Sequence, residues 1–114
     1  MRRGQIFVAA ARGAYTGKPG PVIVVQEDRF DSTTSVTVCP LTTNPVEAPL
    51  ARTLVEPSAL NGLDKPSRIM VDKVTTVPRD SLRHQLGRLR DEDLLQLNRS
   101  LVVFLGLAGS PGAF

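Results

Sequence analysis

A run of β-branched residues, Val22-Ile23-Val24-Val25, lies between a glycine- and proline-rich stretch and the polar residues from Gln26 to Asp28. An uninterrupted apolar run bounded by turn residues predicts a strand that is buried on both faces. The preceding stretch, Gly17-Lys18-Pro19-Gly20, predicts a loop, because glycine and proline interrupt any regular period. We therefore expect a loop that leads into a buried strand over 21–26, with a functional site where the two meet.

Further strands are predicted on both sides of this one. Residues 4–9 predict a first strand, and residues 34–41 carry β-branched side chains at four positions. Because only a short polar stretch precedes 34–41, this strand is expected to pair with the buried strand as an antiparallel hairpin. Pro40 cannot donate to a ladder and so predicts a sheet edge or a bulge. Shorter strands are expected over 50–56 and 84–89, and residues 67–74 predict either a strand pair or one bent strand. Asn61-Gly62 predicts a turn.

One long helix is predicted, from Asp91 onwards. The three acidic residues at 91–93 suit a first turn, where the helix dipole favours negative charge. Gly106 suits the left-handed position that ends a helix, and residues 108–114 are expected to form a flexible tail. The apolar stripe expected to face the sheet comprises Leu94, Leu97 or Asn98, Leu101 and Leu105, widened by Leu95 and Val102.

Together these elements predict a single domain over 1–114 that is mainly β with one helix, an α+β arrangement. The expected fold is a small barrel or strongly bent antiparallel sheet with the C-terminal helix packed on it. A chain of 114 residues has room for one modest core and none for a second catalytic domain. No apolar run approaches the roughly 20 residues that span a bilayer, and the N-terminal apolar run is too short for a signal peptide. We therefore expect a cytoplasmic protein with no membrane segment.

The chain has a single cysteine, Cys39, and a single histidine, His84. An intrachain disulfide and a cysteine zinc site are therefore excluded, as are nucleases that use a histidine pair and proteases that use a Cys-His pair. Neither a metal nor a cofactor is expected. Any catalysis would have to use carboxylates, hydroxyls, arginine or the backbone.

Charge is unevenly distributed along the chain. Residues 1–90 hold 13 Lys and Arg against 8 Asp and Glu, a net +5, whereas residues 91–114 hold one Arg against three acids, a net −2. A basic body suits a polyanion or an acidic protein as partner. The alternative is an ordinary solvated surface of mixed charge.

Polar residues at strand ends are the candidates for chemistry. Thr42-Thr43-Asn44 offers hydroxyls and an amide where a strand ends, and these groups can bind phosphate or stabilise developing charge, although they are also ordinary turn residues. Asp72-Lys73 and Ser67-Arg68 could contact a ligand, or could form a solvated face. The loop that carries Lys18 has the glycines to approach a phosphate backbone, but it lacks the spacing of a phosphate loop.

Five segments in order resemble the MazF/PemK endoribonuclease toxins. They are Arg-Arg-Gly-Gln-Ile-Phe at 2–7, Gly-Lys-Pro-Gly-Pro-Val-Ile-Val-Val-Gln-Glu-Asp at 17–28, Val-Thr-Val-Cys-Pro-Leu-Thr-Thr at 36–43, the segment 62–78, and Leu-Gly-Arg-Leu at 86–89 followed by the leucine-rich helix. The similarity extends from residue 2 to about 107. The resemblance implies an SH3-like barrel with a C-terminal helix and a homodimer. It also implies a partly disordered, acidic antitoxin that covers a basic groove.

The activity implied by the resemblance is sequence-specific, metal-independent cleavage of single-stranded mRNA. The ribose 2′-hydroxyl attacks the adjacent phosphodiester and leaves a 2′,3′-cyclic phosphate. In this family the catalytic residues are a threonine after the third strand, which matches Thr42, and an arginine directly before the proline that opens the second strand. The residue at the arginine position is Gly20.

Gly20 offers neither the permanent charge nor the planar donors of an arginine, so the resemblance implies an impaired enzyme. Lys18 or Arg12 could swing in, but each would sit on a loop with poorer orientation. The glycine can be a substitution introduced to disarm the toxin, which is the preferred explanation, or a natural weak variant.

The resemblance assigns several further positions to RNA binding. They are Gln26, Asp28, Ser67, Asp72 and Lys73, where Lys73 replaces a glutamine common in relatives. The residue patterns described above add Lys18, Thr43 and Asn44 as candidate RNA contacts. Two other functions stay open. One is a binding protein on the same fold that inhibits by contact, as the related CcdB toxins poison gyrase, and the other is a pseudo-enzyme that only binds antitoxin.

Overall fold

The computed structural model describes residues 1–10, 19–45 and 52–109. The elements of these ranges are β1 (Gln5–Ala9), β2 (Gly20–Val24), β3 (Ser35–Thr42), β4 (Arg52–Val55), β5 (Ser67–Met70), β6 (Thr75–Pro78), β7 (Leu82–Arg88) and the helix α1 (Asp91–Phe104). All the strand pairs are antiparallel, in the order β4-β5-β3-β2-β1-β7, with β6 also paired to β3. The predicted fold class, an antiparallel sheet with one C-terminal helix, is confirmed. No helix in these ranges is long and apolar enough to cross a membrane.

The sheet is not closed, because β4 and β7 stand at its two ends and do not pair with each other in the described residues. The loop over 56–66 lies against β7 instead, and the Arg88 amide donates to the Leu60 carbonyl at 3.0 Å. The approach is so close that a Cβ at Gly87 would stand 2.2 Å from the Leu60 oxygen. A glycine in β7 therefore allows loop packing to replace the missing ladder.

Pro40 lies inside the sheet rather than at the edge or bulge that the sequence predicts. Residues 35–38 of β3 pair with β6, whereas Leu41 and Thr42 pair with β5. Pro40 falls where β3 changes from one partner to the other, and its Cα faces Val22 on the opposite side. A residue without an N–H is tolerated there because neither β5 nor β6 pairs with it.

Apolar side chains cover both faces of the sheet. The two buried clusters are Ile6, Ile23, Val25, Cys39, Leu41, Val55, Ile69, Val71, Leu89 and Leu97 on one face, and Phe7, Ala9, Val22, Val24, Val36, Val38, Val77 and Leu82 on the other. Strand β2 contributes Ile23 to the first cluster and Val22 and Val24 to the second. This alternation confirms the prediction that the β-branched run is buried on both faces.

The helix α1 packs on the first cluster through Leu97, which is fully buried, with Leu94 and Leu101 partly buried beside it. Gly106 has φ of +74°, and the Leu107 amide donates to the Val102 carbonyl at 2.9 Å, so the predicted glycine ends the helix in a Schellman motif. The predicted stripe is wrong at Leu105 and at the two residues that were expected to widen it. Leu105 is 53% exposed, and Leu95 and Val102 are also exposed.

Candidate functional site

A groove opens where the end of β3 meets the beginnings of β2 and β5. It has a volume of about 560 Å³ and is lined by Pro19, Gly20, Pro21, Leu41, Thr42, Thr43, Ser67 and Met70. A second depression of about 350 Å³ shares Pro21, Thr43 and Ser67 with it and extends to Lys65 and Leu86. We call the two adjoining depressions the trough, and it lies at the strand ends, where the sequence predicts a site.

Gly20 begins β2 with its Cα paired to that of Ala9. Continuing the β2–β3 register two residues beyond the Val22–Pro40 pair places Gly20 beside Thr42. A Cβ at Gly20 would meet no atom within 4 Å, and the backbone there is not in the left-handed region. A side chain at this position would therefore enter open space in the groove without strain.

Thr42 is the last residue of β3, and its side chain is fixed by the turn that follows. Its Oγ1 accepts a hydrogen bond from the backbone N–H of Asn44, with 3.1 Å between the oxygen and the nitrogen. Because this bond uses the oxygen as an acceptor, the hydroxyl hydrogen stays available to donate to an anion. Thr43 and Asn44 are exposed, and Thr43 lines both parts of the trough.

Ser67 is buried and lies across the groove from Gly20's strand, at the start of β5. Its hydroxyl donates to the Lys65 carbonyl at 3.0 Å, so its oxygen still has lone pairs that can accept a hydrogen bond. Of the predicted site residues that the structure describes, it brings together Gly20, Thr42, Thr43 and Ser67, with Asn44 adjacent.

Asp72 and Lys73 lie in the single helical turn that follows β5, outside the lining of the groove. Both guanidinium nitrogens Nε and Nη2 of Arg52 donate to the Asp72 carboxylate at 3.2 Å. These hydrogen bonds hold the pKa of Asp72 below its ordinary value, against the smaller effect of burial. Lys73 Nζ stands 4.0 Å from the same carboxylate. Asp72 therefore has a partner of opposite charge on β4, and this ion pair accounts for a carboxylate at position 72 without any ligand.

Gln26 and Asp28 lie beyond the far end of β2. Gln26 is six residues from Gly20, about 20 Å away at the usual strand rise. Its Oε1 accepts from the Thr37 amide at 3.0 Å, and its amide nitrogen donates to the Phe30 carbonyl at 3.0 Å. Asp28 accepts from the Arg3 amide at 2.7 Å. The structure does not bring these two side chains to the groove, and Lys18 and Arg12 lie outside the described residues.

Arg68 lies next to the groove, although the sequence indicated it only together with Ser67, as a possible ligand contact or as part of a solvated face. Its Cα is the partner of Thr42 in the β3–β5 ladder. The signal was present only as a charged residue in a predicted strand, because strand register cannot be read from the sequence of one strand alone.

Neither the single histidine nor the single cysteine lies in the groove. His84 is exposed on β7, and burial raises the pKa of the Cys39 thiol to about 12, which keeps it protonated. In the part of the chain that the structure describes, no three His, Cys, Asp or Glu side chains come together as metal ligands. The polar chemistry of the groove is therefore that of hydroxyls and backbone groups, with one arginine, Arg68, on the adjoining strand β5.

The sequence of the chain is similar to that of known proteins. Residues 2–105 match the family described as PemK-like, MazF-like toxin of type II toxin-antitoxin system. A protein of Mycolicibacterium smegmatis named probable endoribonuclease MazF is 59% identical over 109 residues, which cover 96% of this chain and 100% of that protein.

Two solved structures have a similar fold. The Mycobacterium tuberculosis toxin MazF-mt6 matches with a TM-score of 0.75 and 28% identity, covering 90% of this chain and 96% of that one. An endoribonuclease from a mycobacterial species, in complex with its cognate antitoxin, matches with a TM-score of 0.80 and 22% identity over 96% and 99%. At 22% identity the second match shows the fold alone.

Proposed function

Because the chain belongs to the PemK-like, MazF-like family of type II toxins, we propose that it is a toxin that cuts RNA endonucleolytically. The family match spans residues 2–105, and the relative named probable endoribonuclease MazF is matched over its whole length. The observation that carries the proposal is the groove itself, because its lining includes both positions that the resemblance assigns to catalysis, Gly20 and Thr42.

The proposed reaction is a transesterification in single-stranded mRNA. The 2′-oxygen forms a bond to phosphorus and loses its proton, while the bond from phosphorus to the 5′-oxygen breaks and that oxygen gains a proton. Negative charge grows on the two non-bridging oxygens as the reaction proceeds. The Thr42 hydroxyl, oriented by the Asn44 amide, can donate to one of them. Thr43, Asn44 and Ser67 supply further polar groups for the nucleotides on either side.

Gly20 limits the rate of this reaction in the proposed mechanism. Arginine has a planar fork of donors that matches two phosphate oxygens, and losing one such donor group commonly lowers the rate by a factor of roughly 100 to 1000. The open space at position 20 makes this a limitation that one substitution can remove. We therefore propose that the chain with Gly20 is a weak nuclease.

The first prediction concerns Gly20→Arg. We expect this variant to cleave a long unstructured RNA in EDTA roughly 10- to 100-fold faster than the chain with Gly20, because the new guanidinium stabilises the developing charge. Thr42→Ala should cleave more slowly than the unaltered chain. The measurement is the rate of appearance of ends carrying a 2′,3′-cyclic phosphate.

Thr34→Ala serves as the matched control, because Thr34 is an exposed threonine directly before the first residue of β3. Its rate should equal that of the unaltered chain. An absence of cleavage by both the unaltered chain and Gly20→Arg, on RNAs of varied sequence, would contradict the proposed function.

The missing side chain at position 20 favours one second candidate, a protein that binds antitoxin without cleaving RNA. In that case Gly20→Arg would stay inactive on RNA while the chain still bound an acidic antitoxin segment.

For the nuclease we likewise propose an acidic antitoxin as partner, a homodimer as the assembly and the cytoplasm, where mRNA is translated, as the place of action. Supporting observations are the net +5 over residues 1–90 and the absence of a membrane-spanning helix from the described residues.

A further inference from the structure

Three neighbouring strands place a row of positions across one face of the sheet. Thr42 on β3 is the Cα partner of Arg68 on β5, and the β2–β3 register continued by two residues places Gly20 on the other side of Thr42. Residues directly opposite one another in antiparallel strands have their side chains on the same face, with Cβ atoms about 5 Å apart. Thr42 therefore has a glycine on one side and an arginine on the other.

The guanidinium of Arg68 is not engaged elsewhere in the described part of the chain, where no hydrogen bond or ion pair involves it. Arg68 is half-buried, and β5 also supplies Ser67 and Met70 to the groove lining. Arg52 on the neighbouring strand β4 differs from Arg68, because its Nε and Nη2 both donate to the Asp72 carboxylate. Arg68 thus presents an uncompensated positive charge next to the groove.

We propose that Arg68 is a catalytic residue that binds the scissile phosphate beside Thr42 and carries the activity that remains with glycine at position 20. This proposal rests on the proposed endoribonuclease function. The guanidinium stays protonated throughout and donates to the non-bridging oxygens as their charge grows. The cation then approaches the phosphate from the β5 side of Thr42 instead of the β2 side.

Other described cations near the trough are less well placed for this role. Lys65 lines the second depression, three residues before Arg68, and its compact ammonium does not offer the planar fork that matches two phosphate oxygens. Lys73 lies in the turn after β5 beside the Asp72 carboxylate. Only Arg68 is in direct register with Thr42.

A double-mutant cycle between positions 20 and 68 tests the proposal. Single-turnover cleavage of a long unstructured RNA is measured for the unaltered chain, Arg68→Ala, Gly20→Arg and the combined variant. Arg68→Ala should lower the rate roughly 100-fold in the unaltered chain. The same change should cost much less in the Gly20→Arg background, because an arginine on the β2 side then serves the same phosphate.

Two further variants separate catalysis from bulk charge and from folding. Arg99→Ala removes a positive charge from the exposed outer side of α1 and should leave the rate unchanged. Arg68→Lys keeps the charge and the long side chain, so it should fold even where Arg68→Ala does not. We expect its rate to be intermediate, because lysine lacks the planar fork. Thermal unfolding confirms that each variant is folded at the assay temperature.

The outcomes distinguish this proposal from the proposed function. If folded Arg68→Ala cleaves RNA as fast as the unaltered chain, the role of Arg68 is overturned and the nuclease function stands. Where Arg68→Ala is unfolded, the same conclusion follows if Arg68→Lys cleaves as fast as the unaltered chain. An equal loss in Arg99→Ala also overturns it, because bulk charge would then be responsible. If only the variants that contain Gly20→Arg cleave RNA, Arg68 supplies no activity. If none of the proteins cleaves RNA, both proposals are wrong.

Discussion

At the residue scale, two local features determine what Thr42 and Gly20 can do. The Asn44 amide occupies an acceptor site of the Thr42 oxygen, so that the turn leaving β3 also orients the hydroxyl. Gly20 has no side chain, but the space that one would fill is open. The threonine hydroxyl is thus preorganised, and under the proposed mechanism the rate depends on which neighbouring residue supplies the positive charge.

The one thiol of the chain gives a prediction at this scale. Cys39 is fully buried, and burial raises its pKa to about 12. Because the thiolate is the reactive form, we expect a thiol-specific reagent at pH 8 to label the folded protein extremely slowly and the unfolded protein quickly. The measurement is the labelled mass as a function of urea concentration. Complete labelling within minutes in the absence of urea would contradict the burial of Cys39.

At the element scale, the pair formed by Arg52 and Asp72 connects β4 to the turn after β5. The two side chains are 13% and 25% exposed, so the pair is only partly screened by solvent. Arg3 makes a second connection, because its guanidinium donates to the Val25 carbonyl at 2.8 Å and to the Asn98 side chain. These contacts fix the helix and the end of β5 relative to the strands that form the groove.

The connection through Asp72 predicts a pH dependence of stability. The Arg52 hydrogen bonds lower the pKa of Asp72, so their stabilisation is complete above the pKa of an unfolded aspartate, about 4, and is lost as the pH falls through the lower folded pKa. The free energy of unfolding should therefore fall more steeply below pH 4 in the unaltered chain than in Asp72→Asn. Arg52→Ala should lose about 1–3 kcal/mol at pH 7. Urea unfolding at several pH values checks both, and parallel pH slopes would rule out the linkage.

The sequence predicts which residues form strands and helices better than it predicts which of these elements pack or pair with one another. The β-branched run, the threonines after β3 and the glycine that ends α1 carry local signals, because burial on both faces, turn chemistry and positive φ each favour particular residue types. Pro40 and Leu105 do not carry such signals. The first depends on where β3 changes partner and the second on how far the sheet extends under the helix.

The same limit applies to the candidate site. Thr42, Thr43 and Ser67 line the groove, since each lies at a strand end. Gln26 has the same local appearance, but its amide group is used to close the connection between β2 and β3. Arg68 was indicated only as a possible ligand contact, because its place beside Thr42 follows from strand register, which joins residues 26 positions apart.

At the scale of the whole molecule, the open sheet and the helix leave apolar side chains uncovered. Val103, Phe104, Leu105 and Leu107 at the end of α1 are all exposed. A domain of this size buries a limited core, and association with a second copy would increase it. These features support the proposed homodimer.

The dimer prediction is a solution mass of twice the 12.3 kDa of one chain at micromolar concentration. Because burial of apolar surface is not screened by ions, we expect the mass to stay the same in about 1 M salt. Light scattering coupled to gel filtration measures it. A single-chain mass under both conditions would contradict the prediction, and a dimer that dissociates in salt would indicate a charged interface instead.

The open space at Gly20 has a consequence for the evolution of potency. Every glycine codon becomes an arginine codon by a single base change, and the fold needs no compensating mutation to accept the larger residue. Under the proposed mechanism, a single mutation would therefore convert the weak nuclease into a stronger one. Under that mechanism, the rate of RNA cleavage could change at this position almost independently of the stability of the protein.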